Sequence, residues 1–251
     1  MNRYARYAIY YTPEPGSPLW SLASSWLGRD AASGRAVQRP DMPTLAAINL
    51  DRLTAGPRRY GFHGTLKAPF EAADAAAEDG LLQALDDFTA RSSAFDMRLE
   101  VGSLGDFIAL RPAEPSPSMN ALHRACVCDF DAFRKPISEE DLARKRGTRL
   151  TPAQDANLVR WGYPYILDEF RFHMTLTSRI ACKASQAPVR EALAALLAPQ
   201  LAAPHRIEGI ALFGQVDRDS PFDVVRWFPL RGRSTATTTA TTSAAERGAR
   251  A

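Results

Sequence analysis

A five-residue pattern occurs twice in this chain, and the same order of predicted elements follows each copy. The pattern is an aromatic residue, histidine, any residue, threonine and leucine, and its copies begin at Phe62 and Phe172. The two histidines, His63 and His173, are 110 positions apart (173 − 63). Each copy is followed by an amphipathic helix and then by strand-like segments joined by a turn. A duplicated unit of strand, helix, strand and strand is therefore the main constraint on the fold.

The two halves can be written out element by element. In the first half, the motif strand, the helix and the two hairpin strands are predicted at 60–67, 78–91, 95–101 and 107–110. In the second half, the corresponding elements are predicted at 170–180, 188–198, 205–213 and 222–229. Before the first half, the sequence predicts a strand at 4–11, a helix that ends at Gly28, and mostly loop over 29–59.

The segment between the halves predicts a helical insertion at about 118–162. Apolar residues recur there at helical spacing, and two helix starts have capping-box character, at Ser138 and Thr151. The insertion is either a cap over the site or an additional packing layer, and the sequence does not choose between them. After Leu230, the sequence loses apolar periodicity, so we predict that 231–251 is a disordered tail.

The alternation of side chains in a strand places the motif residues together. Residues two positions apart point to the same face, so His63 lies beside Thr65 and His173 beside Thr175. Two strands that face each other would then form a site with two imidazoles and two hydroxyl groups. One histidine can accept a proton from an attacking oxygen while the other donates a proton to a leaving oxygen. The threonine hydroxyls can donate to the non-bridging oxygens of a phosphate.

The same alternation extends to two cations. Lys67 follows the first motif and Arg171 precedes the second motif at the same parity, so both are predicted to bind an anionic substrate. Gly64 lies on the opposite face, where it would permit close packing. No carboxylate or cysteine accompanies either motif at ligand spacing, so we expect neither a metal nor another cofactor.

Other candidate residues have a structural interpretation. His123 and His205 are interpreted as surface or packing residues, and the aromatic residues at 161–165 as core rather than cleft. The basic run 144–146 is typical of a solvated helix face. We therefore do not assign these residues to the site.

The composition limits the class of protein. A formal charge of +3 is too small to indicate duplex nucleic-acid binding. The three cysteines are not spaced as a disulfide framework, and no signal peptide or apolar run of membrane-spanning length is present. The sequence favours a cytoplasmic protein with a small-molecule substrate and no membrane partner, and it does not predict an oligomeric state.

The paired motifs resemble those of the two-histidine (2H) phosphoesterase superfamily, which includes RNA 2′,5′-ligase-like cyclic phosphodiesterases. Longer strings resemble the branch associated with bacterial phosphonate (carbon–phosphorus lyase) metabolism: SPLW at 17–20, SWLGRD at 25–30, YGFHGTLKAPF at 60–70 and WGYPY at 161–165. The resemblance covers about 4–230 and implies one bilobal α+β domain with pseudo-twofold symmetry. It places antiparallel sheets around a central cleft, with strand 4–11 joining the sheet and lobes at about 60–111 and 168–230.

The resemblance also implies an activity. Members of the superfamily act on cyclic phosphates without a metal, and the phosphonate branch implies ribose 5-phosphate bearing a 1,2-cyclic phosphate, opened to the 1,5-bisphosphate. An RNA 2′,3′-cyclic phosphodiesterase or 2′,5′-ligase-like enzyme is one alternative. A non-catalytic phosphate- or nucleotide-binding module is another. The sequence does not assign the acid and base roles of the two histidines.

Overall fold

The computed structural model describes residues 3–74, 77–147 and 149–232. This length contains strands, α-helices and short 3₁₀ helices. The strands are β1 Arg6–Tyr11, β2 Gly64–Glu71, β3 Phe95–Met97, β4 Leu99–Leu104, β5 Phe107–Pro112, β6 Met174–Thr175, β7 His205–Ile207, β8 Gly209–Gln215 and β9 Phe222–Pro229. The α-helices are α1 Pro18–Leu27, α2 Leu50–Tyr60, α3 Ala77–Arg91, α4 Pro117–Asp129, α5 Glu139–Arg146, α6 Pro152–Trp161 and α7 Lys183–Leu201. Short 3₁₀ helices occur at Pro43–Leu45, Asp131–Phe133 and Leu167–Glu169.

The two halves share one sheet. Its seven strands run in the order β4-β5-β6-β2-β1-β8-β9, and a separate pair joins β3 to β7. Every pairing between these strands is antiparallel. The motif strand of the second half, β6, lies between the motif strand β2 and the hairpin strand β5 of the first half. The α+β class with antiparallel sheets is confirmed, and the halves interleave at the centre of the larger sheet.

Most predicted elements are present, and their boundaries differ most around the motifs. The helices and hairpin strands of both halves are confirmed. The motif strands begin later than predicted, at Gly64 and Met174, and the predicted strand 170–180 is wrong over most of its length, because β6 contains only Met174 and Thr175. The loop prediction for 29–59 is wrong over α2, because Gly56 and Pro57 lie inside this helix although such residues ordinarily interrupt one.

Both faces of the sheet are covered around β1. Tyr7, Ile9 and Tyr11 point into the main core, which α3 and α7 complete with leucines and Phe88. Tyr10 points into a smaller apolar cluster on the other face, together with Phe213. A strand that is buried on both faces reads as a continuous apolar run, as 7–11 does.

The inserted helices pack on one side of the first motif strand. Met119 and Cys126 of α4 are fully buried in the main core, as their helical spacing predicts. The capping box of α6 at Thr151 is present, and α6 ends at Gly162 with φ of 76°. These local signals were strong enough to fix the ends of the helix.

The end of the described chain remains attached to the body. The backbone N–H groups of Arg231 and Gly232 donate to the carbonyl groups of Thr89 and Ser92. The predicted tail at 231–251 therefore starts too early by these residues, and the rest of it, 233–251, lies outside the described residues. In the described part of the chain, no helix has the length and apolar character needed to span a membrane.

Candidate active site

The two motifs lie side by side in the sheet. Gly64 of β2 pairs with Met174 of β6 in an antiparallel register. Continuing that register by one residue places His63 opposite Thr175 and Thr65 opposite His173. Directly opposite residues have Cβ atoms about 5 Å apart, and diagonal neighbours on one face are about 7–8 Å apart. The two histidines are thus diagonal neighbours on one face of the sheet, rather than on strands that face each other.

Glycine at position 64 allows this close pairing. A methyl group at Gly64 would lie only 2.4 Å from the ring of Phe172. Such an approach is far inside van der Waals contact, so any larger residue would push the second motif strand away. The expectation that Gly64 permits close packing on the opposite face is confirmed.

Each histidine is held by the same type of hydrogen bond. Nδ1 of His63 lies 3.0 Å from the carbonyl oxygen of Gly61, and Nδ1 of His173 lies 2.7 Å from that of Arg171. A carbonyl oxygen only accepts, so Nδ1 carries the proton in both rings and the neutral ring has its lone pair on Nε2. The hydroxyl of Thr65 lies 3.4 Å from Nε2 of His63 and can donate to it. Both imidazoles therefore present the same basic nitrogen.

Burial favours the neutral form of both rings. It lowers the pKa of His63 to about 4, and the nearby His173 contributes to the same direction. Burial also lowers the pKa of His173. In the free protein at neutral pH, both rings are uncharged and ready to accept a proton. A bound anion would favour the protonated form of either ring.

Two adjoining cavities open at these residues. The first cavity, of about 530 Å³, is lined by His63, Thr65 and Thr175 among others. The second cavity, of about 370 Å³, is lined by His173 and again by Thr65. Phe107 and Tyr163 line both cavities. Cavities of this size suit a small molecule, and the two histidines line adjoining cavities that share Thr65, Phe107 and Tyr163.

Aromatic rings that sequence reasoning missed fix the first histidine. The ring of Tyr10 stacks on His63 with centroids 3.9 Å apart, and the ring of Tyr60 lies 5.9 Å from it. Phe107 stands 5.6 Å from His173. These residues come from β1, α2 and β5, and nothing in a single sequence indicates that their segments meet at the motifs.

Comparison with known proteins gives a family for the chain. Residues 65–223 match the family described as "Protein of unknown function (DUF1045)". The chain belongs to this family. The matched region contains the whole second motif and begins at Thr65 of the first.

Two curated relatives of this DUF1045 chain have the name "Ribose 1,5-bisphosphate phosphokinase PhnN". The relative from Janthinobacterium sp. (strain Marseille) is 44% identical over 176 residues, which is 70% of this chain and 39% of the relative. The relative from Laribacter hongkongensis (strain HLHK9) is 35% identical over 231 residues, which is 90% of this chain and 53% of the relative. The DUF1045 chain thus spans about half or less of these relatives.

Solved structures show only distant similarity to the DUF1045 chain. TT0787 of Thermus thermophilus has 13% identity and a TM-score of 0.46, covering 91% of this chain and 100% of that one. LigT of E. coli, solved with 3′-AMP, has 11% identity and a TM-score of 0.44, covering 90% and 98%. Similarity at this level does not identify an activity.

The structure corrects the predicted role of Lys67. Its ammonium is buried and donates to the carbonyl oxygen of Val127 at 2.9 Å and to Asp131 at 3.3 Å. Neither cavity at the histidines includes Lys67. A β-bulge explains this: Tyr10 and Ile9 are consecutive on β1, but their partners Thr65 and Lys67 are two residues apart on β2. The extra residue shifts the alternation of side chains along β2, so Lys67 faces the core instead of the histidine face.

Arg171 lies beside the second motif. It is exposed and lines the second cavity with His173. Its guanidinium donates to the carbonyl oxygens of Asp168 and Phe170, at 3.1 and 2.7 Å. Substrate binding by Arg171 stays a prediction.

Some of the other residues considered in the sequence analysis pack in the interior, and others line the cavities. His205 is hydrogen-bonded to Tyr11 and lines neither cavity, which agrees with its interpretation as a packing residue. His123 is buried, as a packing residue would be, but it also lines the second cavity. The interpretation of 161–165 as aromatic core is wrong, because Tyr163 lines both cavities and Tyr165 is 45% exposed and lines the second. The basic run 144–146 is exposed except at Lys145, which lines the first cavity.

Proposed function

We propose that this protein is a metal-independent cyclic phosphodiesterase that hydrolyses a small sugar cyclic phosphate with His63 and His173 as proton carriers. The observation that supports the proposal best is that the two imidazoles have the same tautomer and the same type of hydrogen bond. Each ring donates Nδ1–H to a backbone carbonyl two residues earlier and has Nε2 as its basic atom, and the two rings line adjoining cavities. A binding module has no need of two such proton carriers.

The proposed reaction needs one water molecule. One imidazole takes a proton from the water as its oxygen attacks phosphorus. The bond from phosphorus to one ring oxygen breaks, and the other histidine, protonated in the bound complex, gives its proton to that leaving oxygen. The products are a phosphate monoester and a free sugar hydroxyl, and the proton taken up by one ring replaces the proton given by the other over a full cycle.

Threonine hydroxyls provide the neutral donors for this chemistry. Thr65 and Thr175 line the first cavity, and the sheet register places each of them opposite a histidine. Hydroxyl groups at fixed positions can hold the charge on the non-bridging oxygens during in-line attack. The donor set of two imidazoles and two hydroxyls suits proton transfer better than metal binding, because neither motif contains a carboxylate or a cysteine.

The names of the relatives favour one substrate. A ribose 1,5-bisphosphate phosphokinase consumes the compound that forms when the 1,2-cyclic phosphate of ribose 5-phosphate is opened at the 2-oxygen. No glycine in this chain is followed by lysine, so the chain has no P-loop of the GxxxxGK[ST] type. We therefore assign the opening step to this chain and the phosphorylation to the remainder of those longer relatives.

A panel of cyclic phosphates tests the function. Purified protein is incubated in EDTA with ribose 1,2-cyclic phosphate 5-phosphate, nucleoside 2′,3′-cyclic phosphates and RNA with a cyclic end, and the products are read by phosphorus NMR. We expect opening of the sugar substrate, with kcat reduced by about 10²–10⁴-fold in His63→Ala and His173→Ala. His205→Gln, outside both cavities, is the matched control. Near wild-type rates in both alanine variants would contradict the proposal.

The same panel decides between the alternatives. Preferred turnover of the RNA substrate, with binding that weakens steeply as salt is raised, would indicate an RNA end-processing enzyme. Saturable binding of every cyclic phosphate without any product would indicate a non-catalytic module.

A further inference from the structure

The first cavity carries more positive charge than a cyclic phosphate requires. Among the described residues that line it, Arg6, Lys145 and Arg179 are basic and none is acidic. A cyclic phosphodiester has a single negative charge. The two histidines are neutral in the free protein, so they carry no charge that these three basic residues would have to balance.

Two of these cations come from separate elements and converge. Arg6 begins β1, and its guanidinium donates to Gln215 at 2.9 Å, which orients it. Lys145 is near the end of α5, where its ammonium donates to the carbonyl oxygen of Gly162 at 2.6 Å. Both side chains are half-buried. Burial lowers the pKa of Lys145, and the charge of Arg6 lowers it further. Bringing like charges together in a partly buried place costs free energy, which an anion bound there would offset.

Asp141 is the carboxylate that interacts with both cations, and it also binds two other arginines. Asp141 interacts electrostatically with Arg6 and with Lys145. Its two oxygens, however, accept from Arg144 at 2.6 Å and from Arg218 at 2.9 Å. Asp141 therefore offsets only part of the positive charge at this edge of the cavity, because its carboxylate is shared among Arg144, Arg218, Arg6 and Lys145.

Tyrosines separate this edge from the reacting centre. Tyr10 stacks on His63, and Arg6 is close enough to interact with both Tyr10 and Tyr60. A group bound by the cations would thus lie across these rings from the imidazole. Arg6, Lys145 and His63 nevertheless line the same cavity, so two groups of one small molecule can reach both places.

We propose that Arg6 and Lys145 form a binding subsite for a second anionic group of the substrate, a phosphate monoester carried on the same sugar as the cyclic phosphate. This inference rests on the proposed function and deepens it. A phosphate monoester carries a charge of nearly two at neutral pH and accepts several hydrogen bonds, which matches a guanidinium and an ammonium. The subsite would select phosphorylated sugars over free nucleosides and sugars.

Binding of ribose 5-phosphate, which lacks the cyclic group, tests the subsite directly. Dissociation constants for ribose 5-phosphate and ribose are measured by calorimetry for wild type, Arg6→Gln, Lys145→Gln and the control Arg146→Gln, whose side chain pairs with Asp155 and lines neither cavity. We expect tighter binding of ribose 5-phosphate than of ribose, weakened about 10-fold or more in Arg6→Gln and Lys145→Gln and within about twofold of wild type in the control. Arg6→Lys and Lys145→Arg, which keep the charge, should restore part of the affinity.

Turnover separates this inference from the proposed function. The ratio of kcat/KM for ribose 1,2-cyclic phosphate with and without the 5-phosphate should fall about 10-fold in Lys145→Gln. Equal binding of ribose and ribose 5-phosphate by wild type, or an unchanged preference in Lys145→Gln, would overturn the subsite even if cyclic phosphates are opened. Selective binding that depends on these residues, without any turnover, would support the subsite and overturn the proposed function. If Arg6→Gln does not fold, Lys145→Gln decides the question.

Discussion

At the scale of single residues, the most informative feature is the hydrogen bond that sets each tautomer. His63 and His173 bond to the carbonyl groups of Gly61 and Arg171, so the same short-range contact occurs in both halves. The contact fixes the ring and leaves Nε2 toward the cavities. A histidine on a flexible loop would lose this orientation and much of its efficiency in proton transfer.

The protonation state of His63 can be observed directly. Because burial lowers its pKa to about 4, we expect Nε2 to be unprotonated from neutral pH down to about pH 4 in the free protein. Addition of a phosphate ligand should raise the pKa, since the anion stabilises the imidazolium. Long-range ¹H–¹⁵N NMR of the ring nitrogens measures both. A protonated Nε2 at pH 7 without ligand, or a lone pair on Nδ1, would contradict this description of the ring.

At the scale of elements, the β-bulge in β2 decides which side chains reach the cavities. The bulge lies after Thr65. Thr65 is therefore on the same face as His63, whereas Lys67 points to the core. There Lys67 ties β2 to α4 through Val127 and to the next 3₁₀ helix through Asp131. The bulge thus converts a side chain that the alternation assigns to substrate into one that anchors the insertion.

This assignment predicts a change in stability without a change in substrate binding. Lys67→Met removes the donor to Val127 and leaves Asp131 with Arg134 alone at close range, so we expect a loss of about 1–3 kcal/mol in the free energy of unfolding. The KM for a cyclic phosphate should remain within about twofold of wild type, because the ammonium does not reach the cavities. Urea unfolding and steady-state kinetics measure the two quantities.

The exposed Lys135→Met is the matched control for Lys67→Met. We expect it to change neither quantity, because its ion pair with Glu71 is long and largely solvated. A rise in KM for Lys67→Met at unchanged stability would restore the role that strand alternation suggested for this lysine.

At the scale of the whole molecule, one buried histidine joins the insertion to the sheet. His123 of α4 donates from Nδ1 to the carbonyl oxygen of Leu66 at 2.8 Å and accepts at Nε2 from the N–H of Leu167 at 3.0 Å. Its ring also stacks on Phe170, with centroids 3.6 Å apart. Both nitrogens are committed in the neutral form, and protonation of Nε2 would break the bond to Leu167.

The cost of protonating His123 should appear in the pH dependence of folding. Burial lowers its pKa to about 4 from 6.5, so the unfolded chain binds a proton between these values while the folded chain does not. The contribution to stability is complete above pH 6.5 and is lost as the pH falls toward 4, by about 3 kcal/mol in total. Glutamine can make both hydrogen bonds and does not titrate, so His123→Gln should not show this decrease in the free energy of unfolding. Urea unfolding of both proteins at pH 7 and 4.5 measures it, and parallel curves would contradict the prediction.

Local patterns in the sequence were sufficient for much of this fold. The spacing of Leu81, Leu85 and Phe88 identified α3, and the capping residues around Thr151 and Gly162 identified α6. These signals operate within a few residues, where propensity and capping decide the structure. The helix α2 was not predicted because Gly56 and Pro57 lie inside it, and such residues ordinarily interrupt a helix. It is stabilised by contacts of Leu50 and Leu53 with the main core, which the sequence alone does not show.

By itself, the sequence determined that the chain contains a duplicated unit and that each copy carries a histidine two residues before a threonine. Only the tertiary structure decided that the copies lie side by side, with each histidine opposite the threonine of the other. It also decided that Lys67 is a core residue and that Arg6, Tyr10 and Lys145 border the cavity. The physical reason is that a motif is set by residues adjacent in the chain, whereas register, bulges and cavity walls are set by segments that meet only after the sheet has formed.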